Sequence, residues 1–258
     1  MLSITHNAGF FSCCSVRICR ILNYFSKYKL LPSAIDSSNM FSMYKINNNT
    51  DVTYDFFEHY DNINDKIIYV KEIPINRYNF QFSNYKDVDY KSIIPFVKKY
   101  FTPSLNIKYI FNNLKIKYNI DHNNCIGLYY RGTDKCAETR IDTYENYYNK
   151  LIELTNKEPN LQILIQTDTA QFLNYINEKK INNVIVISEN SVSHTNRGIH
   201  KEKAPSDNYN DIQTLFATFL IISKCKYIIC SSGNCSIWMM YYRENANNVF
   251  QNLNKVWL

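Results

Sequence analysis

Short apolar runs alternate with amphipathic stretches along the second half of the chain, and this alternation predicts its fold. In chain order, the expected elements are strand 125–131, helix 142–156, strand 161–167, helix 169–180, strand 183–188, a polar loop over 189–210, helix 211–224, strand 226–231, helix 234–246 and a short strand near Val249. Strands and helices that alternate at this spacing indicate a parallel sheet with crossover helices. The expected fold class is therefore α/β.

The first half of the chain has a less regular pattern. Its expected elements are a strand over 2–5, a helix over 10–27, a strand over 30–35, a loop over 46–65, a strand over 67–70, and helices over 88–101 and 105–119. Residues 1–35 have basic but no acidic side chains, as targeting peptides do, yet their strand-turn-helix pattern favours a folded element. The change of rhythm predicts two domains, 1–110 and 111–258.

The composition describes an ordinary globular chain and favours an anionic ligand. Of the 258 residues, 45% are hydrophobic and 20% are charged, and the net charge is +6. A modest positive charge favours anions, while no basic cluster with interleaved aromatic residues indicates nucleic-acid binding. No stretch approaches the ~20 apolar residues that a transmembrane helix needs. We therefore expect neither a nucleic-acid partner nor a membrane span.

The eight cysteines include no Cys-x-x-Cys pair, so no metal site is expected. Cys125, Cys225 and Cys230 lie in apolar runs, where free cysteine packs as a small core residue. This placement favours a reducing, cytoplasmic compartment. The sequence does not decide whether Cys225 and Cys230 form a disulfide.

The loop after the first strand of the second half carries the densest candidate chemistry. The apolar run from Cys125 leads into Arg131-Gly132-Thr133-Asp134-Lys135. Ligands bind at the carboxyl ends of strands in open α/β sheets, and an arginine offers a planar charged fork suited to phosphate. The loop predicts a site for a phosphorylated, nucleotide-linked ligand.

A second candidate loop combines hydroxyl groups with a glycine. Ser231-Ser232-Gly233-Asn234 follows an apolar strand and precedes a helix, and Gly9 and Gly132 occupy similar strand-to-helix loops. Backbone amides at a helix N-terminus bind anions. The competing interpretation is that each glycine only makes a turn and that Ser or Asn only caps the helix.

The third candidate loop is Gln166-Thr167-Asp168-Thr169. Asp168 ends a predicted strand, where a carboxylate can accept two hydrogen bonds from a base or a ribose. A helix N-cap is an equally good interpretation of its position. Ser188-Glu189-Asn190-Ser191 closes the next strand and extends the same rim.

Together these loops resemble the motifs of the α-1,6-fucosyltransferase and protein O-fucosyltransferase superfamily, which includes the rhizobial nodulation fucosyltransferases. The segment Tyr129 to Lys135 resembles its His-x-Arg-x-Thr-Asp-Lys motif, and 166–169 resembles Ala-Thr-Asp-Asp. The segment 188–191 is similar to its Ser-Asp-Asn-Ser element. Asp211, followed by Cys230-Ser231-Ser232, is similar to the last motif. The resemblance covers about 124–245.

This resemblance implies a GT-B-like fold of two Rossmann-like halves and an inverting, metal-independent transfer of fucose from GDP-fucose to a glycan or other hydroxyl acceptor. It implies no cofactor beyond the donor substrate. The roles implied for the donor site are Arg131 on the β-phosphate, Thr133 and Asp134 in the same loop, Asp168 on guanine, Ser231, Ser232 and Gly233 along the phosphates, and Asn7 and Gly9 in a loop that faces the donor from the other half.

An inverting transfer also needs a base to take the acceptor's proton. Glu138 lies near the position of a proposed base glutamate in the α-1,6 branch, one residue out of register, although its position alone favours an exposed loop charge. The family's motif histidine is replaced by Tyr129. Two alternatives therefore stay open: a non-catalytic binder of glycans or nucleotide sugars, and a transferase that uses another nucleotide sugar.

Overall fold

The computed structural model describes residues 1–47, 50–63, 82–195 and 197–253. The elements over these residues are, in chain order, β1 (Leu2–His6), α1 (Phe10–Tyr28), β2 (Ile35–Met40), α2 (Thr53–Phe56), α3 (Tyr90–Tyr100), α4 (Leu105–Lys117), β3 (Cys125–Tyr130), α5 (Tyr144–Lys157), β4 (Gln162–Thr167), α6 (Ala170–Glu178), β5 (Val184–Val186), α7 (Ile199–Glu202), α8 (Pro205–Lys224), β6 (Tyr227–Ser231), α9 (Asn234–Arg243) and β7 (Val249–Asn252), with short 3-10 turns between them.

The large sheet confirms the α/β prediction for the second half. Its five strands have the order β5-β4-β3-β6-β7, and all pairs are parallel. This order is compatible with a Rossmann-like fold, because successive crossovers move outward in opposite directions from β3 and β6. All six residues of β3 are buried, as expected for a central strand. The sheet therefore has its switch point between β3 and β6.

Helix α8 lies unusually close to the central strand. Gly127 in β3 permits this approach, since a Cβ added there would stand 2.6 Å from the Cγ2 atom of Ile222 in α8. Ile222 is itself fully buried. The glycine predicted inside a strand thus has a packing role.

Aromatic side chains from both halves meet in one hydrophobic core. Phe10 and Phe11 of α1 lie beside Phe216 of α8, with ring centroids 6.0 and 5.8 Å away. The Nε1 atom of Trp238 in α9 donates to the Oγ atom of Ser15 in α1 at 3.0 Å. A second cluster, which includes Tyr130, covers the other side of the sheet. The core is therefore shared across the domain boundary predicted at residue 110, which itself stays a prediction.

Two predicted elements are placed differently in the structure. The strand expected over 30–35 lies over Ile35–Met40, where it pairs in parallel with β1. Its buried positions include Ser37, so its polar sequence gives a weak strand signal. Helix α8 begins at Pro205 rather than at residue 211, because proline is well suited to the first turn of a helix.

The remaining expectations have mixed outcomes. The loop expected over 189–210 contains the short helix α7, and the strand expected over 67–70 lies outside the described residues. None of the eight cysteines, all of which lie within the described residues, forms a disulfide, so Cys225 and Cys230 are not bridged. Among the helices that the structure describes, none has the length and apolar character required to cross a membrane.

Candidate functional site

A cavity of about 750 Å³ lies at the switch point of the large sheet, facing the N-terminal half. The ends of β3, β4 and β6 and the turn before α1 contribute to its walls. The residues from the sequence predictions that line it are Asn7, Gly9, Arg131, Asp134, Glu138, Asp168, Ser231, Ser232 and Gly233. Thr133, the remaining predicted residue, belongs to the Arg131 loop, but its side chain is buried and bonded to Asp168. The structure therefore brings the predicted loops from both halves to one place.

Arg131 follows β3 directly and is held between two carboxylates. Its Nη2 atom donates to the Oδ1 atom of Asp134 at 2.8 Å, and its Nε atom lies 3.5 Å from the Oδ2 atom of Asp168. The Nη1 atom lies 4.0 Å from the Sγ atom of Cys235, in the first turn of α9. Burial opposes the charge, but the carboxylate of Asp168 raises the pKa of Arg131 well above its ordinary value. A permanent positive charge thus stands beside the N-terminus of α9.

Asp168 organises the arginine loop from the end of β4. Its Oδ1 atom accepts from the backbone N–H of Gly132 at 2.7 Å, and its Oδ2 atom accepts from the Oγ1 atom of Thr133 at 2.5 Å. It is not the N-cap of α6, since Thr169 holds that position. Both carboxylate oxygens therefore already have partners within the chain, which makes Asp168 a positioning residue for Arg131.

The turn before α9 depends on Gly233. Its φ of +155° is a backbone conformation that other residues adopt only with strain. Its N–H donates to the hydroxyl of Tyr85 at 3.0 Å, and its carbonyl accepts from that hydroxyl at 3.2 Å. No side chain caps α9, so the backbone amides that follow, from Asn234 to Ser236, have no partner within the helix. These amides, rather than that of Gly233, offer the anion-binding end.

The two predicted serines are more buried than a ligand-contacting hydroxyl needs to be. Ser231 and Ser232 are each 2% exposed. The Oγ atom of Ser232 accepts from the Nε2 atom of Gln251 in β7 at 2.9 Å. Gln251 also donates to the carbonyl of Ser83 at 3.0 Å and accepts from the N–H of Tyr85 at 2.9 Å. Ser232 therefore helps to fix the turn that lines the cavity.

Lys135 is a second cation of this site, to which the sequence assigned no separate role. Its side chain is buried, and its Nζ atom lies 4.0 Å from the place where a Cβ on Gly233 would stand. The same Nζ atom forms an ion pair with the carboxylate of Glu138 at 2.6 Å. Its presence in the Arg131 loop was the available signal. Glu138, predicted as a base, is 56% exposed at the edge of the cavity.

A second helix N-terminus faces the cavity from the other half. Gly9 is the N-cap of the 19-residue helix α1 and, as a glycine, offers no capping side chain of its own. The backbone N–H of Phe10 donates to the hydroxyl of Tyr44 at 2.9 Å, and the Oδ1 atom of Asn7 accepts from the N–H of Ser42 at 3.0 Å. Asn7 therefore holds the segment that contains Tyr44 against the turn. The partial positive ends of α1 and α9 both lie at the cavity.

The long loop after β5 adds side chains that the sequence did not single out. His200 and Lys201 of α7 line the cavity, and the Nζ atom of Lys201 lies 3.7 Å from the Oδ2 atom of Asp134. Burial and then the charge of Arg131 lower the pKa of His200 below its ordinary value. The position of this loop at the carboxyl end of a parallel strand could have indicated its role.

Only part of the rim predicted over 188–191 lies at the cavity. Glu189 accepts from the hydroxyl of Tyr118 at 2.6 Å, while Asn190 and Ser191 line the cavity. The Oδ1 atom of Asn190 is buried and has no hydrogen-bond partner among the residues that the structure describes. The Oγ atom of Ser191 donates to Asp211 at 2.8 Å. This rim presents polar groups suited to a nucleoside base or ribose.

Tyr129 occupies the position of the motif histidine. Its side chain is 3% exposed and its ring lies 5.0 Å from that of Phe219, edge to face. Burial raises the pKa of its hydroxyl well above the ordinary value. At neutral pH Tyr129 is therefore an uncharged part of the cavity wall.

The combination of the N-terminus of α9 with Arg131 and the buried Lys135 favours an anion with more than one charged group, such as a diphosphate. The polar rim at Asn190 leaves space for a group attached to that anion. No metal-binding cluster of three or more His, Cys, Asp or Glu side chains occurs within the described ranges. No protein-family model matches the chain, and no curated protein is significantly similar to it.

Proposed function

We propose that the protein is an inverting glycosyltransferase of GT-B-like architecture, which transfers fucose from GDP-fucose to a hydroxyl group of a glycan or other acceptor. The observation that carries the proposal is the convergence of Arg131, Lys135 and the N-terminus of α9 on one cavity. This arrangement suits a nucleoside diphosphate. The choice of fucose and guanine rests on the motif resemblance.

The chemistry of the proposed transfer uses this positive charge in the transition state. The acceptor oxygen forms a bond to C1 of the sugar, the bond from C1 to the phosphate oxygen breaks, and its electron pair leaves with the diphosphate. Arg131 and the amides of α9 would stabilise the negative charge that develops on that leaving group. Lys135 would add a second cation at the same end. The acceptor's proton passes to a base within the cavity.

The contacts of Asp168 change the expected recognition of the base. Its two oxygens hold Gly132 and Thr133, so guanine would meet the rim at Asn190 and Ser191 instead of a free carboxylate. The unpartnered Oδ1 atom of Asn190 is an acceptor that could receive a hydrogen bond from a base amino group. This rim is compatible with a guanine site in the proposed function.

A non-catalytic binder of nucleotide sugars is the second candidate. The observation that favours it is Tyr129, a buried and uncharged side chain where the motif has histidine. A binder and a transferase share the same donor site. They differ in whether bound donor is cleaved.

A thermal-shift panel of GDP, UDP, ADP and CMP tests the proposed donor site. We expect GDP to raise the melting temperature by several degrees at saturation, since a ligand at ~100 times its Kd adds about 2.7 kcal/mol of stability. Arg131→Ala should reduce the shift strongly, because it removes the fork that binds phosphate. Arg140→Ala is the matched control, since Arg140 is exposed and lies outside the cavity lining.

Each outcome of the panel has a separate meaning. Selective stabilisation by UDP would contradict the guanine assignment and favour another nucleotide sugar. Equal shifts in the wild type and in Arg131→Ala would contradict the donor site itself. Stabilisation by GDP without release of GDP from GDP-fucose would favour the non-catalytic binder.

A further inference from the structure

The imidazole of His200 lies in the cavity beside the turn that begins α1. Its Cε1 atom lies 3.9 Å from the place where a Cβ on Gly9 would stand, at the N-terminus of α1. The same atom lies 2.9 Å from the corresponding place on Gly198, and the Oδ2 atom of Asp134 lies 2.6 Å from that place. His200 is therefore next to both the Arg131–Asp134 pair and the opposite wall.

The segment that carries His200 is fixed on both sides. The Nδ2 atom of Asn208 donates to the carbonyl of His200 at 2.8 Å. The Nζ atom of Lys203 donates to the Oδ2 atom of Asp211 at 2.5 Å, and the Oγ atom of Ser193 donates to the carboxylate of Glu202 at 3.1 Å. An ordered backbone of this kind holds the imidazole in place as a reaction requires.

The charges around His200 suit a proton acceptor. The groups that face it are Arg131 and Lys201, which are positive, and Asp134 and Asp168, which are negative. Burial and Arg131 together favour the uncharged imidazole, so the side chain is neutral near pH 7 and has a free nitrogen lone pair. Asp134 lies where it can orient the ring or stabilise the charge that forms.

We propose that His200 is the general base of the transfer and takes the proton of the acceptor hydroxyl as its oxygen bonds to C1 of the sugar. The electron pair of the broken bond leaves with the diphosphate beside Arg131, and the proton remains on the imidazole until solvent removes it. This proposal rests on the proposed function and replaces Glu138 in the role of base.

The surroundings of Glu138 explain that replacement. Its carboxylate is more than half exposed and is paired with Lys135, the cation that lies beside the turn of Gly233. That placement joins Glu138 to the leaving-group end of the cavity. His200 instead lies between the Arg131–Asp134 pair and the N-terminal wall, with its Cε1 atom 3.9 Å from the place of a Cβ on Gly9, so an acceptor hydroxyl that enters from the N-terminal side meets the imidazole.

The test compares wild type with His200→Gln, which keeps a polar side chain of similar size. GDP release from GDP-fucose is measured from pH 5 to 9, together with the melting-temperature shift produced by GDP. We expect about a 10²- to 10⁴-fold loss of release with the GDP shift retained. GDP release by the wild type should decrease as the pH falls below about 6.5, because the imidazole then becomes protonated. This decrease should disappear in the variant. His194→Gln is the control, since His194 is exposed on the same loop and lies outside the cavity lining.

Azide separates a base from a merely structural residue. Azide attacks C1 without losing a proton, so it forms fucosyl azide and releases GDP with no base. We expect azide to restore GDP release in His200→Gln. A variant that releases GDP like wild type, or that azide does not rescue, overturns the base assignment while the donor site stands. A wild type that neither binds GDP nor cleaves GDP-fucose overturns the proposed function, and the role of His200 with it.

Discussion

The guanidinium of Arg131 contacts two carboxylates that have different surroundings. Asp134 is part of the cavity rim, where the charge and hydrogen bond of Arg131 outweigh burial and lower its pKa. Asp168 faces inward and bonds to the backbone and hydroxyl groups of the loop itself. Asp134 therefore neutralises part of the positive charge at the site, while Asp168 fixes the position of the Arg131 loop.

Asp168→Ala should damage ligand binding through the position of Arg131. The variant leaves the buried N–H of Gly132 and the hydroxyl of Thr133 without their acceptor, which should cost about 1–3 kcal/mol of unfolding free energy. We also expect the GDP-induced melting shift to fall well below that of the wild type. Asp207→Ala, a change on the exposed first turn of α8, should cost less than about 1 kcal/mol and leave the shift intact.

Urea denaturation and the thermal shift together check this expectation. If Asp168→Ala loses GDP binding with no change in stability, the carboxylate contacts the ligand directly and the assigned positioning role is wrong. A variant that binds GDP normally would show that Arg131 needs no such support.

At the residue scale, sequence reasoning is strongest where a side chain has one dominant chemistry. Arg131 and Gly233 were found because an arginine and a glycine between a strand and a helix have few other uses. His200 was not singled out, since a histidine in a polar loop is usually exposed, and Lys135 was part of the predicted loop without an assigned role. Both lie beside glycines that are far away in sequence, Lys135 beside Gly233 and His200 beside Gly9.

At the scale of elements, the contact between Gly127 of β3 and Ile222 of α8 sets the distance between the helix and the sheet. Gly127→Ala would place a methyl group 2.6 Å from the Cγ2 atom of Ile222, so either strand or helix must shift. We expect a loss of about 1–3 kcal/mol in unfolding free energy.

A double-mutant cycle with Ile222→Ala isolates this contact. Ile222→Ala alone should cost about 2–5 kcal/mol by opening a cavity. The double variant should be more stable than the sum of the two losses predicts, by about 0.5–3 kcal/mol, because the new methyl group fills part of that cavity. Additive losses in urea denaturation would show that the two positions are not coupled.

Whether an element was predictable depends on how its apolar residues are spaced. The large-sheet strands are continuous apolar runs, so their order along the chain was clear from sequence. The hidden cases were β2, whose buried positions include a serine, and the first turn of α8, whose exposed polar face resembles a loop. The deciding partner of β2 is β1, which precedes α1 in the chain, whereas the start of α8 follows from Pro205 in its own first turn.

For the whole molecule, the shared core predicts that the two halves unfold together. Phe10 and Phe11 of the N-terminal half pack on Phe216 of the C-terminal half, and Trp238 is bonded to Ser15. We expect a single transition in urea, with coincident midpoints from far-UV circular dichroism and aromatic fluorescence.

Two separated transitions would contradict this and would support independent domains over 1–110 and 111–258. That boundary would also cut α4, which spans Leu105–Lys117. Sequence rhythm can suggest such a division, but it carries no information on side chains that pack across it.

Gln251 connects the last strand of the sheet to the turn at the site. It lies in the last strand, yet it joins Ser232, Ser83 and Tyr85, and Tyr85 in turn holds Gly233. For protein engineering, this makes the edge strand β7 a poor place for free redesign. A substitution there that preserves the sheet could still misplace the turn that begins α9. The substitutions that β7 tolerates are therefore limited by the geometry of the site and not only by the exposure of the strand.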